Sequence, residues 1–313
     1  MSTADFWIVG PLAEDLARAL DDLPDGVRIR TAADFDAVGD AIADIRALAH
    51  MGHGLAEARS HMPRLEWLQT LYAGTDSLST IDLAGVTVST AAGAHVAQMS
   101  ELAFLLLLGL ARDVRGILAD QAVRAWRPTA RRPLAGSHVL IVGTGQIAQG
   151  MARRCAAFDM RVTGISATPR AIEGFDAIVA REQLAEAAAG ADHLVILTSL
   201  TPETEGLVSR TVLEALPPRA VVINLGRGAV MDEAALVELL TAGRIAGAGL
   251  DVFVAEPLPA DNPLWSLPNV IITPHSGGWS TMLIEQLAPI VRENVARWFG
   301  TPRRPLLNQQ AGG

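Results

Sequence analysis

Three stretches in the second half of the chain carry side chains suited to proton transfer and anion binding: NLGRGAVMDEAAL around Arg227, GLDVFVAEPLP around Glu256 and ITPHSGGWS around His275. A guanidinium is a planar fork that grips a carboxylate through two hydrogen bonds. An imidazole exchanges a proton near neutral pH, and a carboxylate beside it fixes its orientation and balances its charge. Singly, each residue has an ordinary reading: a structural histidine, a surface arginine, or loop chemistry at Glu256 before Pro257. Their shared setting argues for more, because each follows an apolar run with the look of a strand, at Val221 to Asn224, Ala246 to Leu250 and Val270 to Thr273. In open α/β sheets ligands sit beyond the carboxyl ends of the strands, so all three side chains can converge on one crevice.

A second signal lies upstream in HVLIVGTGQIA, His138 to Ala148. An apolar strand runs into Gly143, Gly145 and Ala148 in the spacing G-x-G-x-x-[G/A], with a helix opening at Gln146 and Ile147. The glycines permit a tight turn and close backbone approach, and the helix N-terminus offers unpaired amides to a pyrophosphate. A dinucleotide site is therefore expected. About 20 residues on, an acidic residue ordinarily holds the ribose hydroxyls of NAD. Here the strand ends in GISATPR, with Ser166 and Arg170 and no carboxylate. A hydroxyl and a guanidinium suit a 2′-phosphate, so NADP(H) is expected over NAD(H).

The elements that would position these groups follow from periodicity. Short apolar runs alternate with amphipathic stretches along the chain, which predicts an α/β protein of parallel sheets covered by helices. We read two doubly wound domains. Residues 1–95 plus 283–313 form a smaller, discontinuous flavodoxin-like substrate domain, with strands near Phe6 to Val9 and Val27 to Arg30 and apolar runs at Ile45 to Ala49 and Leu65 to Thr70. Residues 96–282 form a Rossmann dinucleotide-binding domain with six strands. One helix is predicted over Val96 to Val114, apolar on nearly every side and so buried between domains or subunits.

Composition removes other classes. The net charge is −9 and no dense arginine cluster occurs, which argues against a nucleic-acid partner. All 25 basic residues are arginine and Tyr72 is the only tyrosine, so Schiff-base, P-loop and Tyr/Lys chemistry are unsupported. The single cysteine, Cys155, reads as a buried, inert thiol in a reducing compartment. Neither a basic, apolar leader nor a membrane span is read, so the expected location is cytoplasmic; no metal site is expected.

Together with the glycine loop and TSLTPET at Thr198 to Thr204, the three reactive segments resemble the D-isomer-specific 2-hydroxyacid dehydrogenase family over nearly the whole chain. The resemblance implies hydride transfer between NAD(P)H and a small 2-keto acid, giving a D-2-hydroxy acid, in a homodimer; glyoxylate or hydroxypyruvate would be typical substrates. Arg227 would hold the carboxylate and keto oxygen, His275 would donate and accept the proton, and Glu256 would partner His275. Thr198, Leu225, Gly226, Asp251, Gly277 and Gly278 would neighbour the ribose and nicotinamide. In LYAGTDSL, the amides of Ala73 and Gly74 would bind the substrate carboxylate, with Met51 and Gly52 opposite. Glu256 disfavours a formate dehydrogenase; a phosphoglycerate dehydrogenase remains open. The alternative from another class is a catalytically weak NAD(P)-sensing protein of the same fold. Ser100 and Leu102 depart from the family pattern at the start of the long helix.

Overall fold

A computed structural model describes residues 3–310. The residues up to His95 and those from Ser280 onward form one unit, and Val96–Trp279 form the other. In the first unit the order is β1 (Ala4–Val9), α1 (Ala13–Ala19), β2 (Val27–Ala32), β3 (Ala47–His50), α2 (Leu55–Arg59), β4 (Trp67–Thr70) and β5 (Thr87–Ser89). The strands pair in parallel in the order β2-β1-β3-β4-β5, the flavodoxin-like arrangement. Strands covered on both faces read as continuous apolar runs, and β3 and β4 are buried at every position. A C-terminal helix, Leu283–Phe299, covers one face by setting Leu287, Val291 and Trp298 among Phe6, Leu16 and Trp67. Val38, Met62, Leu68 and Leu78 build the core of the other face.

The second unit contains α3 (Val96–Ala111), α4 (Val114–Ala122), β6 (His138–Val142), α5 (Gln146–Ala157), β7 (Arg161–Ser166), β8 (Ala177–Ala180), α6 (Leu184–Ala188), β9 (His193–Ile196), α7 (Arg210–Ala215), β10 (Val221–Asn224), α8 (Glu233–Thr241), β11 (Gly247–Leu250) and β12 (Val270–Ile272). Its seven strands are parallel in the order β12-β11-β10-β9-β6-β7-β8. Counted from β6 this is the doubly wound dinucleotide order with one strand added, and the direction of winding reverses between β6 and β9. No described helix is long and apolar enough to cross a membrane.

Two expectations need correction. The helix expected over Val96 to Val114 ends at Ala111, and a second, unread helix, α4, follows it: Asp113 takes a left-handed φ of 53°, and its carboxylate accepts from the Gly116 N–H (3.2 Å), capping α4. On α3, Leu105 is 63% exposed within the single chain, while Ala103, Phe104, Leu106 and Leu107 are buried. The seventh strand, β8, is a short, partly exposed edge whose four residues carry too little pattern to read.

Candidate active site

Arg227, Glu256 and His275 stand beyond the carboxyl ends of β10, β11 and β12, which are consecutive in the sheet. Neighbouring strands lie about 4.8 Å apart, so the roots of these loops fall within roughly 10 Å of each other.

The Arg227 loop is shaped by its flanking glycines. A Cβ on Gly226 would lie 2.6 Å from the Thr198 carbonyl oxygen, and one on Gly228 would lie 2.0 Å from the Phe253 carbonyl carbon. Asn224, fully buried at the end of β10, ties the turn: its amide oxygen accepts from the Gly226 N–H (3.0 Å) and its Nδ2 donates to the Arg227 carbonyl (3.1 Å). Nη1 of the half-buried Arg227 donates to the Gly226 carbonyl at 2.7 Å.

His275 has a φ of 50°, uncommon for a residue with a Cβ. Its N–H donates to the carbonyls of Asp251 (2.8 Å) and Thr273 (3.1 Å), which holds that conformation. The Asp251 side chain completes the clamp. At 1% exposure, its carboxylate accepts from Thr273 Oγ1 (2.5 Å), the Ser276 N–H (2.9 Å) and the Gly277 N–H (2.9 Å). Asp251 therefore acts on the His275 loop, with both oxygens engaged there. Glu256 is fixed as firmly: Oε1 accepts from the Phe253 N–H (2.9 Å), and Oε2 lies 2.6 Å from His275 Nδ1. An ionised carboxylate only accepts, so Nδ1 carries the proton of that pair and Nε2 is the nitrogen left to face a reactant. The two side chains are 35% and 45% exposed, so solvent or a ligand reaches them.

The glycine loop fits a dinucleotide. Gly143 has a φ of 103°, and its missing Cβ would lie 3.2 Å from Thr198 Cα, so Gly143 and Gly226 both press against Thr198. At Gly145, by contrast, a Cβ would meet no protein atom within 4 Å. Packing does not demand that glycine, whereas a phosphate approaching the N-terminus of α5 does. Ala148 is buried, Gln146 and Ile147 open α5, and Leu225 is buried below the Arg227 turn. Gly277 leaves no room for a Cβ beside Met99, and the Gly278 carbonyl accepts from Gln98 Nε2 (3.2 Å). Ser166 ends β7, where its Oγ accepts from the Thr168 N–H (3.3 Å), and Arg170 stands exposed four residues on. Four candidates lie in the first unit. Met51 is buried, so only its backbone lines the loop after β3; Gly52 (φ 125°) donates its N–H to the Tyr72 hydroxyl (3.2 Å); Ala73 and Gly74 are half-buried.

Sequence reasoning does not single out the positioning residues Asn224, Thr273 and Ser276. Only Asn224 leaves a trace, as a polar residue closing an apolar run.

The family model for the NAD-binding domain of D-isomer-specific 2-hydroxyacid dehydrogenases matches residues 104–277. The chain belongs to this family. It is 36% identical over 260 residues to glyoxylate/hydroxypyruvate reductase B of Pectobacterium carotovorum, covering 80% of this chain and 81% of that one. Among solved structures, a D-isomer-specific 2-hydroxyacid dehydrogenase family protein of Aeromonas salmonicida superposes with a TM-score of 0.90 at 31% identity, covering both chains completely. An NADPH-dependent glyoxylate/hydroxypyruvate reductase of Sinorhizobium meliloti, in complex with NADP and sulfate, gives 0.86 at 28% identity over 98% of each chain. Both sheets match this family's α/β fold, and the chain is an NAD(P)-dependent 2-keto acid reductase of the D-2-hydroxyacid dehydrogenase class.

Proposed function

We propose that this chain reduces glyoxylate, hydroxypyruvate or a similar small 2-keto acid with NADPH, through Arg227, His275 and Glu256. The observation that carries the reading is the 2.6 Å contact of His275 Nδ1 with Glu256, beside Arg227 on consecutive strand ends. The bound nicotinamide supplies the hydride. As negative charge grows on the keto oxygen, Nε2 of His275 delivers a proton to it and the Arg227 fork steadies both that oxygen and the substrate carboxylate. Glu256 balances the protonated ring and holds its plane. Thr198, Leu225, Gly226, Gly277 and Gly278 border the nicotinamide and ribose in this reading, Asp251 sets the His275 loop, and Ala73, Gly74, Met51 and Gly52 contact the substrate.

Preference for NADP(H) rests on Ser166 and Arg170 at the end of β7. Arg170 joins no ion pair among the described residues, so its charge is available to a 2′-phosphate. A homodimer is supported by exposed apolar side chains along α3, α4 and the segment after them: Leu105, Ile117, Leu118, Val123 and Trp126, the last 94% exposed. The solitary, buried Cys155 accords with a cytoplasmic setting.

A panel of 2-keto acids assayed with each reduced cofactor tests the reading. NADPH should be oxidised with glyoxylate or hydroxypyruvate, at a Kd about tenfold or more below that of NADH, and Arg170→Ala should narrow that gap. Cofactor binding without turnover across the panel would instead mark a sensor.

A further inference from the structure

Glu256 has to aim His275, yet the backbone around it is weakly anchored. Val254 to Pro257 are all exposed, so no buried side chain fixes this stretch. Phe253, 7% exposed, is the last residue before it that is seated in the core. The contact of Glu256 Oε1 with the Phe253 N–H (2.9 Å) lies within the loop and moves with it. A fixed position needs a tie from outside.

Glu233 supplies one. Its Oε2 accepts from the Val254 N–H at 3.0 Å. Glu233 opens α8 directly after Asp232, whose carboxylate caps the helix by accepting from the Ala235 N–H (2.9 Å). The helix is firmly seated, since Ala235, Leu236, Leu239 and Leu240 share a core with Phe253. The same peptide group is confined from another direction: a Cβ on Gly228 would lie 2.0 Å from the Phe253 carbonyl carbon and 2.3 Å from the Val254 nitrogen. The Phe253–Val254 peptide is therefore gripped between the Arg227 turn and Glu233. One amide earlier, the Phe253 N–H meets Glu256, whose Oε2 lies 2.6 Å from His275 Nδ1. Two carboxylates thus take two consecutive amides, and the bonds run in sequence from α8 to the imidazole.

We propose that Glu233 is a positioning residue for the reaction: through the Val254 amide it holds the loop so that the Glu256 carboxylate stays against His275. Glu233 bonds to the loop's backbone and not to His275, so what it must offer is an acceptor oxygen at that point. Misplacing a group by about 1 Å can cost up to about 10²-fold in rate. The proposal rests on the assignment of Glu256 as the partner of His275 and goes beyond it, since that assignment leaves open what fixes the loop.

The test measures glyoxylate reduction at saturating NADPH in Glu233→Ala, Glu233→Gln, Glu256→Ala and the Glu233→Ala, Glu256→Ala double variant, with ¹⁵N-valine labelling to follow the Val254 amide. Glu233→Ala should lower kcat about tenfold, leave the KM for glyoxylate and the Kd for NADPH within about twofold of wild type, and move the Val254 amide proton upfield as its bond is lost. Glu233→Gln, which keeps an acceptor at the same reach, should hold kcat within about twofold of wild type. On top of Glu256→Ala, Glu233→Ala should cost less than about twofold more, because no carboxylate remains to be aimed. Should Glu233→Ala not fold, Glu233→Asp, whose carboxylate is withdrawn by one methylene, should lower kcat in the same direction. Wild-type kcat in Glu233→Ala, a loss as deep in Glu233→Gln, or an undiminished loss on top of Glu256→Ala would each overturn the proposal while the reductase reading stands. Wild-type kcat in Glu256→Ala would instead defeat the assignment of Glu256, and absence of turnover in the wild type the reductase reading; the proposal falls with either.

Discussion

His275 is constrained three times: at its backbone by the carbonyls of Asp251 and Thr273, at its ring by Glu256, and through its loop by the Asp251 carboxylate. Such restraint is what a group must have to meet one keto oxygen at one angle. His275→Ala should lower kcat by about 10²–10⁴-fold, the usual share of a positioned acid, with the calorimetric Kd for NADPH within about twofold of wild type. Unchanged turnover would remove His275 from the proton path. That Arg227, Glu256 and His275 stand at strand ends is legible in the sequence, because an apolar run announces each strand. The partners that aim them are not. Thr273, Ser276 and the Tyr72 hydroxyl act through hydrogen bonds to groups many residues away, and only a folded chain brings these together.

The glycines around Arg227 belong to the scale of elements, since they let two loops interlock. At Gly228 the obstacle is backbone, that of Phe253, which cannot rotate aside as a side chain would. Gly228→Ala should push the loops after β10 and β11 apart and cost about 1–3 kcal/mol in urea unfolding, with kcat/KM falling further than stability alone explains. A variant equal to wild type in both would show that the loop absorbs the methyl. Legibility at this scale tracks length and burial. The buried strands β3, β4, β6, β9 and β10 are evident as apolar runs, whereas the three-residue β5 and the edge strand β8 are too short or too exposed. The break between α3 and α4 hides for another reason: Asp113 interrupts the helix through a left-handed φ, a conformation open to aspartate but not required of it, so the residue type alone does not mark the break.

For the molecule as a whole, acid should loosen the second unit through His193. Burial holds this imidazole down to about 4 from its ordinary 6.5, against the pull of Asp192. Between those values the unfolded chain takes up a proton that the folded chain refuses, so stability is full above pH 6.5 and declines as pH falls toward 4. The loss reaches about 3 kcal/mol at most. Urea midpoints followed by circular dichroism from pH 7 to 4 should show a decline that His193→Gln flattens; parallel profiles for the two proteins would exclude this source.

The tie between the two ends of the chain has its own consequence, for synthesis. β1 leaves the ribosome early, yet the helix that covers its sheet is residues 283–299, and Gln309 bridges to Ser89 of β5 later still. The unit that starts first must therefore wait, its apolar sheet bare on one side, while the uninterrupted stretch from Val96 to Trp279 can mature ahead of it. Nascent chains stalled just short of the final helix should hence be protease-resistant in their middle and still open at their beginning.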